Sequence, residues 1–156
     1  MIETLQAIAP EIILIALASI MYLAGTFAAA PCRCWFWAAL AILAGSGMTL
    51  GLCAAQANPQ SAVVVVDSLA IYGKVLALVI GAALVLLSEG MALDESAPEY
   101  FASLLLVIAG SMLVAGANEL VLLFLGLELI SVPTYVLLYL PRRDIAAQES
   151  AAKYFF

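Results

Sequence analysis

Residues 100–140 read YFASLLLVIAGSMLVAGANELVLLFLGLELISVPTYVLLYL, an apolar stretch interrupted by the polar pair Asn118-Glu119. A helix rises about 1.5 Å per residue, so about forty residues in one helix would reach about 60 Å, twice the hydrocarbon thickness of a bilayer. Two helices of about twenty residues, turning at Asn118-Glu119, fit that thickness. The stretch therefore predicts spans at about 100–117 and about 120–140, and it names lipid as the solvent in which the rest of the chain is to be read.

Working upstream, Glu89, Asp94, Glu95 and Glu99, with Pro98, mark a solvated loop. Before it lies a span at about 65–88, opening at Val63 or Ser68, in which Asp67 and Lys74 stand two helical turns apart; its first stretch suits the interface. A span at about 35–55 precedes that, with Trp35 and Trp37 expected as interfacial anchors and Asn58-Pro59 as its end. The first span, about 10–30, opens with Pro10 and Glu11, both suited to a helix N-terminus, and is expected to close at Pro31. The first eleven residues hold Glu3 and Glu11 and no Lys or Arg, so this segment is expected as a retained helix rather than a signal peptide.

Downstream, Pro141-Arg142-Arg143-Asp144 ends the fifth span, and Asp144 is placed to cap a sixth helix beginning at 145. The expected fold is all-α: a polytopic membrane helix bundle, a single transmembrane domain over 1–156, with five spans and the start of a sixth helix. With five crossings, Arg33, Arg142 and Arg143 fall on one side, so the basic-side rule predicts an outside N-terminus.

Composition agrees. Hydrophobic residues make up 67% and charged residues 10% of the chain, whereas soluble domains hold roughly 45–50% and about 25%. Five Lys and Arg against eleven Asp and Glu give a net charge of −6, which argues against nucleic acid as a partner. Histidine is absent and Cys32, Cys34 and Cys53 fit no zinc or disulfide spacing, so no metal site is expected. Gly47-x-x-x-Gly51 gives the second helix a small-residue face expected to pack closely.

The residue that points to chemistry is Glu128, about ten residues into the fifth span and so about 15 Å from its start, near the bilayer midplane. An acidic group there costs about 2.5–3.5 kcal/mol on insertion scales and requires a protein partner or protonation. With a movable cationic partner it would load and release protons. At about 100° per residue, Glu128, Ser131, Tyr135, Tyr139 and Arg142 share a stripe about 80° wide leading toward the basic loop. Pro133 frees the carbonyl of Leu129 one turn from the acid.

Structural readings stand beside these. Tyr135 and Tyr139 are also suitable interface aromatics, Ser131 can bond its own backbone, and Glu128 can be a permanently protonated structural acid. Lys153 forms with Glu149 a favourable i, i+4 pair, or modulates Glu128 if the sixth helix enters the membrane near Ser150. Lys74 is either an ion-pair partner of Asp67 or a functional lysine. No covalent catalytic arrangement is present.

The motifs Glu99-Tyr100-Phe101-Ala102, 117–137 (ANELVLLFLGLELISVPTYVL), and Arg142-Arg143-Asp144 with Glu149-Ser150-Ala151-Ala152-Lys153-Tyr154-Phe155 resemble the fourth to sixth helices of subunit N of NADH-quinone oxidoreductase, respiratory complex I. Ala9-Pro10-Glu11-Ile12 and Asp67 through Lys74 resemble earlier parts of that family less strongly. The context Gly126-Leu127-Glu128-Leu129-Ile130-Ser131-Val132-Pro133-Thr134-Tyr135 is closer to N than to subunits M and L or the multisubunit cation/proton antiporters.

The resemblance implies an antiporter-like proton-translocating subunit, with Glu128 as the helix-five acid and Lys153 as the helix-six lysine. It implies M-like, L-like and K-like membrane-arm partners within the lipid bilayer. No cofactor is expected in this chain; NADH, FMN, iron-sulfur clusters and a quinone are expected on other subunits. The bacterial inner membrane is the expected location, with the mitochondrial inner membrane as alternative. Family members have about fourteen helices, so the chain is expected as a fragment, a split product or one part of a larger assembly. The alternatives are a component of a cation/proton antiporter and a non-transporting scaffold piece.

Overall fold

The computed structural model describes residues 7–28, 30–56, 63–89, 94–140 and 144–155. They form helices α1 (Ala9–Phe27), α2 (Cys32–Gln56), α3 (Ser68–Leu87), α4 (Ala97–Gly116), α5 (Leu120–Tyr139) and α6 (Ile145–Phe155), with a 3-10 turn at Asp94–Ser96 before α4. The first five are long and apolar enough to cross a membrane, as expected, and α6 begins at Ile145, where a sixth helix was expected to begin. Among the described residues the only extended pairing is an isolated bridge between Val64 and Ala117.

Local chemistry sets the helix starts. Pro10 occupies the first turn of α1, where its missing N–H breaks no helical bond. Asp67 caps α3, its Oδ1 accepting from the Ala70 amide at 2.7 Å, and Asp144 caps α6 in the same way through Ala147 at 2.7 Å. The run Val63-Val64-Val65-Val66, proposed from sequence as a possible opening of the third span, stays out of the helix. Four β-branched residues favour extended backbone. They find partners in the α4–α5 turn: the Val65 amide donates to Gly116 O and the Asn118 amide to Val63 O, each at 3.0 Å.

Helix α4 is the centre of the bundle. Twelve of its residues are buried, against two in α5, Gly126 and Pro133, and α1, α2, α3 and α5 all pack on it. The α4–α5 crossing depends on facing glycines. A Cβ on Gly110 would lie 2.8 Å from Gly126 O, and one on Gly126 would lie 2.8 Å from a Val114 methyl and 3.2 Å from Gly110 O. The expected packing face at Gly47 and Gly51 does not touch another helix: a Cβ there would meet nothing within 4 Å. That face instead lines an open apolar groove with Leu50, Ile71, Val75 and Leu78.

Two further expectations change. Trp35 turns inward and is buried, with Nε1 donating to Ala30 O at 3.2 Å, while Trp37 is exposed as an anchor would be. The acidic loop folds into the bundle at its end: Ser96, Ala97 and Pro98 are buried and α4 begins three residues earlier than expected. Pro98 presses on Gly25 of α1, where a Cβ would come within 2.4 Å of its ring. Helix α1 ends at Phe27, before Pro31. Glu3, Asn58, Pro59, Pro141, Arg142 and Arg143 lie outside the described residues, so the turn ending the second span and the basic loop are not part of the description.

Candidate proton-transfer site

Glu128 is the ninth residue of α5, about 12 Å along a helix about 30 Å long. Residues Gly126 and Pro133 point α5 at the bundle centre, and Glu128 is exposed on this chain, on the flank that α1 to α4 leave uncovered. Among the described residues it makes no hydrogen bond or ion pair.

The other residues of the stripe divide by partner. Ser131 Oγ donates to Leu127 O at 2.8 Å within its own helix. Tyr135 packs edge-on against Tyr154 of α6, ring centroids 5.7 Å apart, which fixes α6 beside the Glu128 flank. Tyr139 is exposed at the helix end. Pro133 is buried toward α4, and beside it Thr134 Oγ1 donates to Ile130 O at 2.6 Å, a backbone support that spacing did not indicate. Lys153 is exposed, next to Tyr154, and lies 3.5 Å from Glu149 in the expected i, i+4 pair. It therefore shares the α5–α6 neighbourhood with Glu128 without contacting it among the described residues.

Lys74 is ion-paired, but with Glu11 rather than with Asp67. Its Nζ lies 2.7 Å from Glu11 Oε1, with side chains only 4% and 1% exposed, and it donates to Ala7 O at 3.1 Å. Asp67, its expected partner, is occupied as the α3 cap. The Glu11 contact is an ion pair without hydrogen-bond alignment, and among the described residues neither carboxylate oxygen has a hydrogen-bond partner. Gly116 of α4 closes over the lysine: a Cβ there would lie 3.0 Å from Lys74 Cε. Sixty-three positions separate Glu11 from Lys74 in sequence (74 − 11). The available signal was two opposite charges in apolar spans, not a spacing.

A second buried polar group, also missed, lies at the opposite end of the bundle. Tyr22 Oη is hydrogen-bonded to Ser103 Oγ, which itself donates to Glu99 O at 2.6 Å. Glu99 Oε2 is buried and, among the described residues, has no hydrogen-bond partner. Among the described residues no group of three His, Cys, Asp or Glu is arranged to hold a metal.

No family model matches the chain. NADH-quinone oxidoreductase subunit N of Trichlorobacter lovleyi is 32% identical over 155 residues, 97% of this chain and 32% of that protein. Subunit N 1 of Solibacter usitatus is 47% identical over 62 residues, 40% of this chain and 13% of that protein. Subunit N 1 of Symbiobacterium thermophilum is 42% identical over 88 residues, 55% of this chain and 17% of that protein. The chain thus spans about a third or less of the length of the curated relatives it matches. Five membrane-spanning helices and a likeness covering 97% of the sequence make this an integral, multi-pass membrane protein that belongs to the subunit N family of NADH-quinone oxidoreductases.

Proposed function

We propose that this chain forms part of a proton-translocating membrane-arm subunit of an NADH-quinone oxidoreductase, in which Glu128 takes up and releases the transported proton. The supporting observation is a carboxyl at mid-span on the uncovered flank of α5. A charge facing lipid at that depth is costly and such residues ordinarily face protein or a water-filled cavity. The flank is accordingly one that further helices of the subunit or a neighbouring subunit cover. M-like, L-like and K-like subunits are the proposed neighbours, and the redox cofactors belong to other chains.

In this reading Glu128 carries the proton as a carboxylic acid and is left as a carboxylate, within the electric field of a nearby ammonium, once the proton has moved on. Lys153 supplies part of that field in this reading, which the Tyr135–Tyr154 ring contact supports by bringing α6 against α5. Tyr139 and Ser131 continue the polar side toward the helix end, with Pro133 and Lys74 as supporting and additional candidates.

The test is Glu128→Gln in the assembled oxidoreductase. Proton pumping falls at least tenfold while the complex still assembles and its subunits co-purify. Unaltered proton transport in that variant rejects the role. Sodium or potassium exchange without dependence on NADH or quinone would place the activity with the cation/proton antiporters instead.

A further inference from the structure

We propose that Glu11 and Lys74 form a second proton-binding site, opening to the membrane face from which α1 and α3 start and separate from the Glu128 flank. The pair lies near that face: Glu11 is the third residue of α1 and Lys74 the seventh of α3, about 3 Å and about 9 Å along their helices. Both are nonetheless shut away from solvent within the bundle. An intramembrane ion pair of this kind is costly to bury and gives little net stability compared with an apolar filling, which makes a purely structural role a poor explanation of it.

The geometry differentiates the two Glu11 oxygens. Oε1 lies 2.7 Å from the ammonium and Oε2 lies away from it, and among the described residues neither buried oxygen has a hydrogen-bond partner. An orphaned buried carboxylate oxygen is uncommon and calls for an explanation. Protonation supplies one. A proton from water at the near face forms an O–H bond at Oε2 and converts the carboxylate into a carboxylic acid. Lys74 remains an ammonium, held by its bond to Ala7 O and by the close approach of Gly116. Loss of the same proton to water breaks that O–H bond and restores the ion pair.

The surrounding elements bring few other charges to this site. Helix α2 contributes the Ser46 hydroxyl, which donates to Pro10 O at 3.3 Å. Helix α3 adds only Asp67, which is engaged as a cap two turns from Lys74. Helix α4 presents Gly116, and the next acid along the chain, Glu119, is exposed at the start of α5. Among the described residues Lys74 is thus the charged group in contact with Glu11.

Infrared difference spectra between acidic and alkaline buffer, recorded on the full chain reconstituted in phospholipid nanodiscs, read this directly. The wild-type chain is expected to show a carboxylic-acid carbonyl band at the high frequency of a water-shielded group, shifted by deuterium exchange and lost in Glu11→Gln. In Lys74→Met the band is expected in the absolute spectra at both pH values and therefore cancels from the difference spectrum, whereas in Glu11→Gln it is absent from both. If Glu11→Gln does not fold, the Glu11→Gln/Lys74→Met pair, which removes both charges together, serves as the control and must also lack the band. A spectrum in which no band depends on Glu11, or one in which Lys74→Met titrates as the wild type does, overturns the proposal. Neither outcome bears on Glu128, which is intact in all of these chains.

Discussion

Removing one member of a buried ion pair costs more than removing both, because the survivor keeps its desolvation penalty and loses its counter-charge. At Glu11 and Lys74 the side chains are 1% and 4% exposed, so the full asymmetry applies. Glu11→Gln alone, which leaves the Lys74 ammonium buried without its counter-charge, is expected to destabilise the chain by about 3–5 kcal/mol, and the double variant Glu11→Gln/Lys74→Met by clearly less. Thermal unfolding in mild detergent, compared across the three chains, checks that order. The individual charges were legible in the sequence, since each interrupts an apolar span, but their pairing was not. Asp67 lay nearer to Lys74 in sequence and was the reasonable partner until its carboxylate was needed to cap α3. Glu128 was legible because depth follows from counting residues, whereas its outward direction depends on which face Gly126 gives to α4.

Helix positions followed from apolar length and the cap at Asp144 from residue type, whereas the Asp67 cap emerged only in the structure. What escaped was the choice of packing surface. Gly47-x-x-x-Gly51 has the pattern of a crossing motif and meets nothing, while Gly110 and Gly126, on different helices, bring α4 and α5 into backbone contact. Small residues permit a close approach; only the complementary face of the neighbour decides whether it happens. Gly126→Leu is expected to force the two helices apart, since its Cβ alone would sit 2.8 Å from Val114. Gly47→Leu is expected to leave them undisturbed. Cysteine cross-linking across the α4–α5 crossing, measured in both variants, should fall several-fold in the first and remain unchanged in the second. The four-valine run before α3 carries the same lesson: its β-branched side chains favour an extended form, and the α4–α5 turn offers the amide and carbonyl that such a form needs.

At the scale of the molecule, four crossings pack on one central helix, and α5 offers most of its length to something else. Sequence gave the number of crossings because lipid thickness is a strict ruler. It could not give the centre, since α4 is no more apolar than its neighbours and is central only through what packs on it. The central position of α4 also has a consequence for biosynthesis. Ribosomes deliver α1, α2 and α3 before the helix around which they assemble, so the early helices must wait in the membrane with their mating surfaces bare. Chains released after residue 90 are therefore expected to be degraded faster than chains released after residue 140, by a factor of several in pulse-chase labelling. During that wait Glu11 and Lys74 are each other's available counter-charge, and their meeting would hold the first and third helices in register until the fourth emerges.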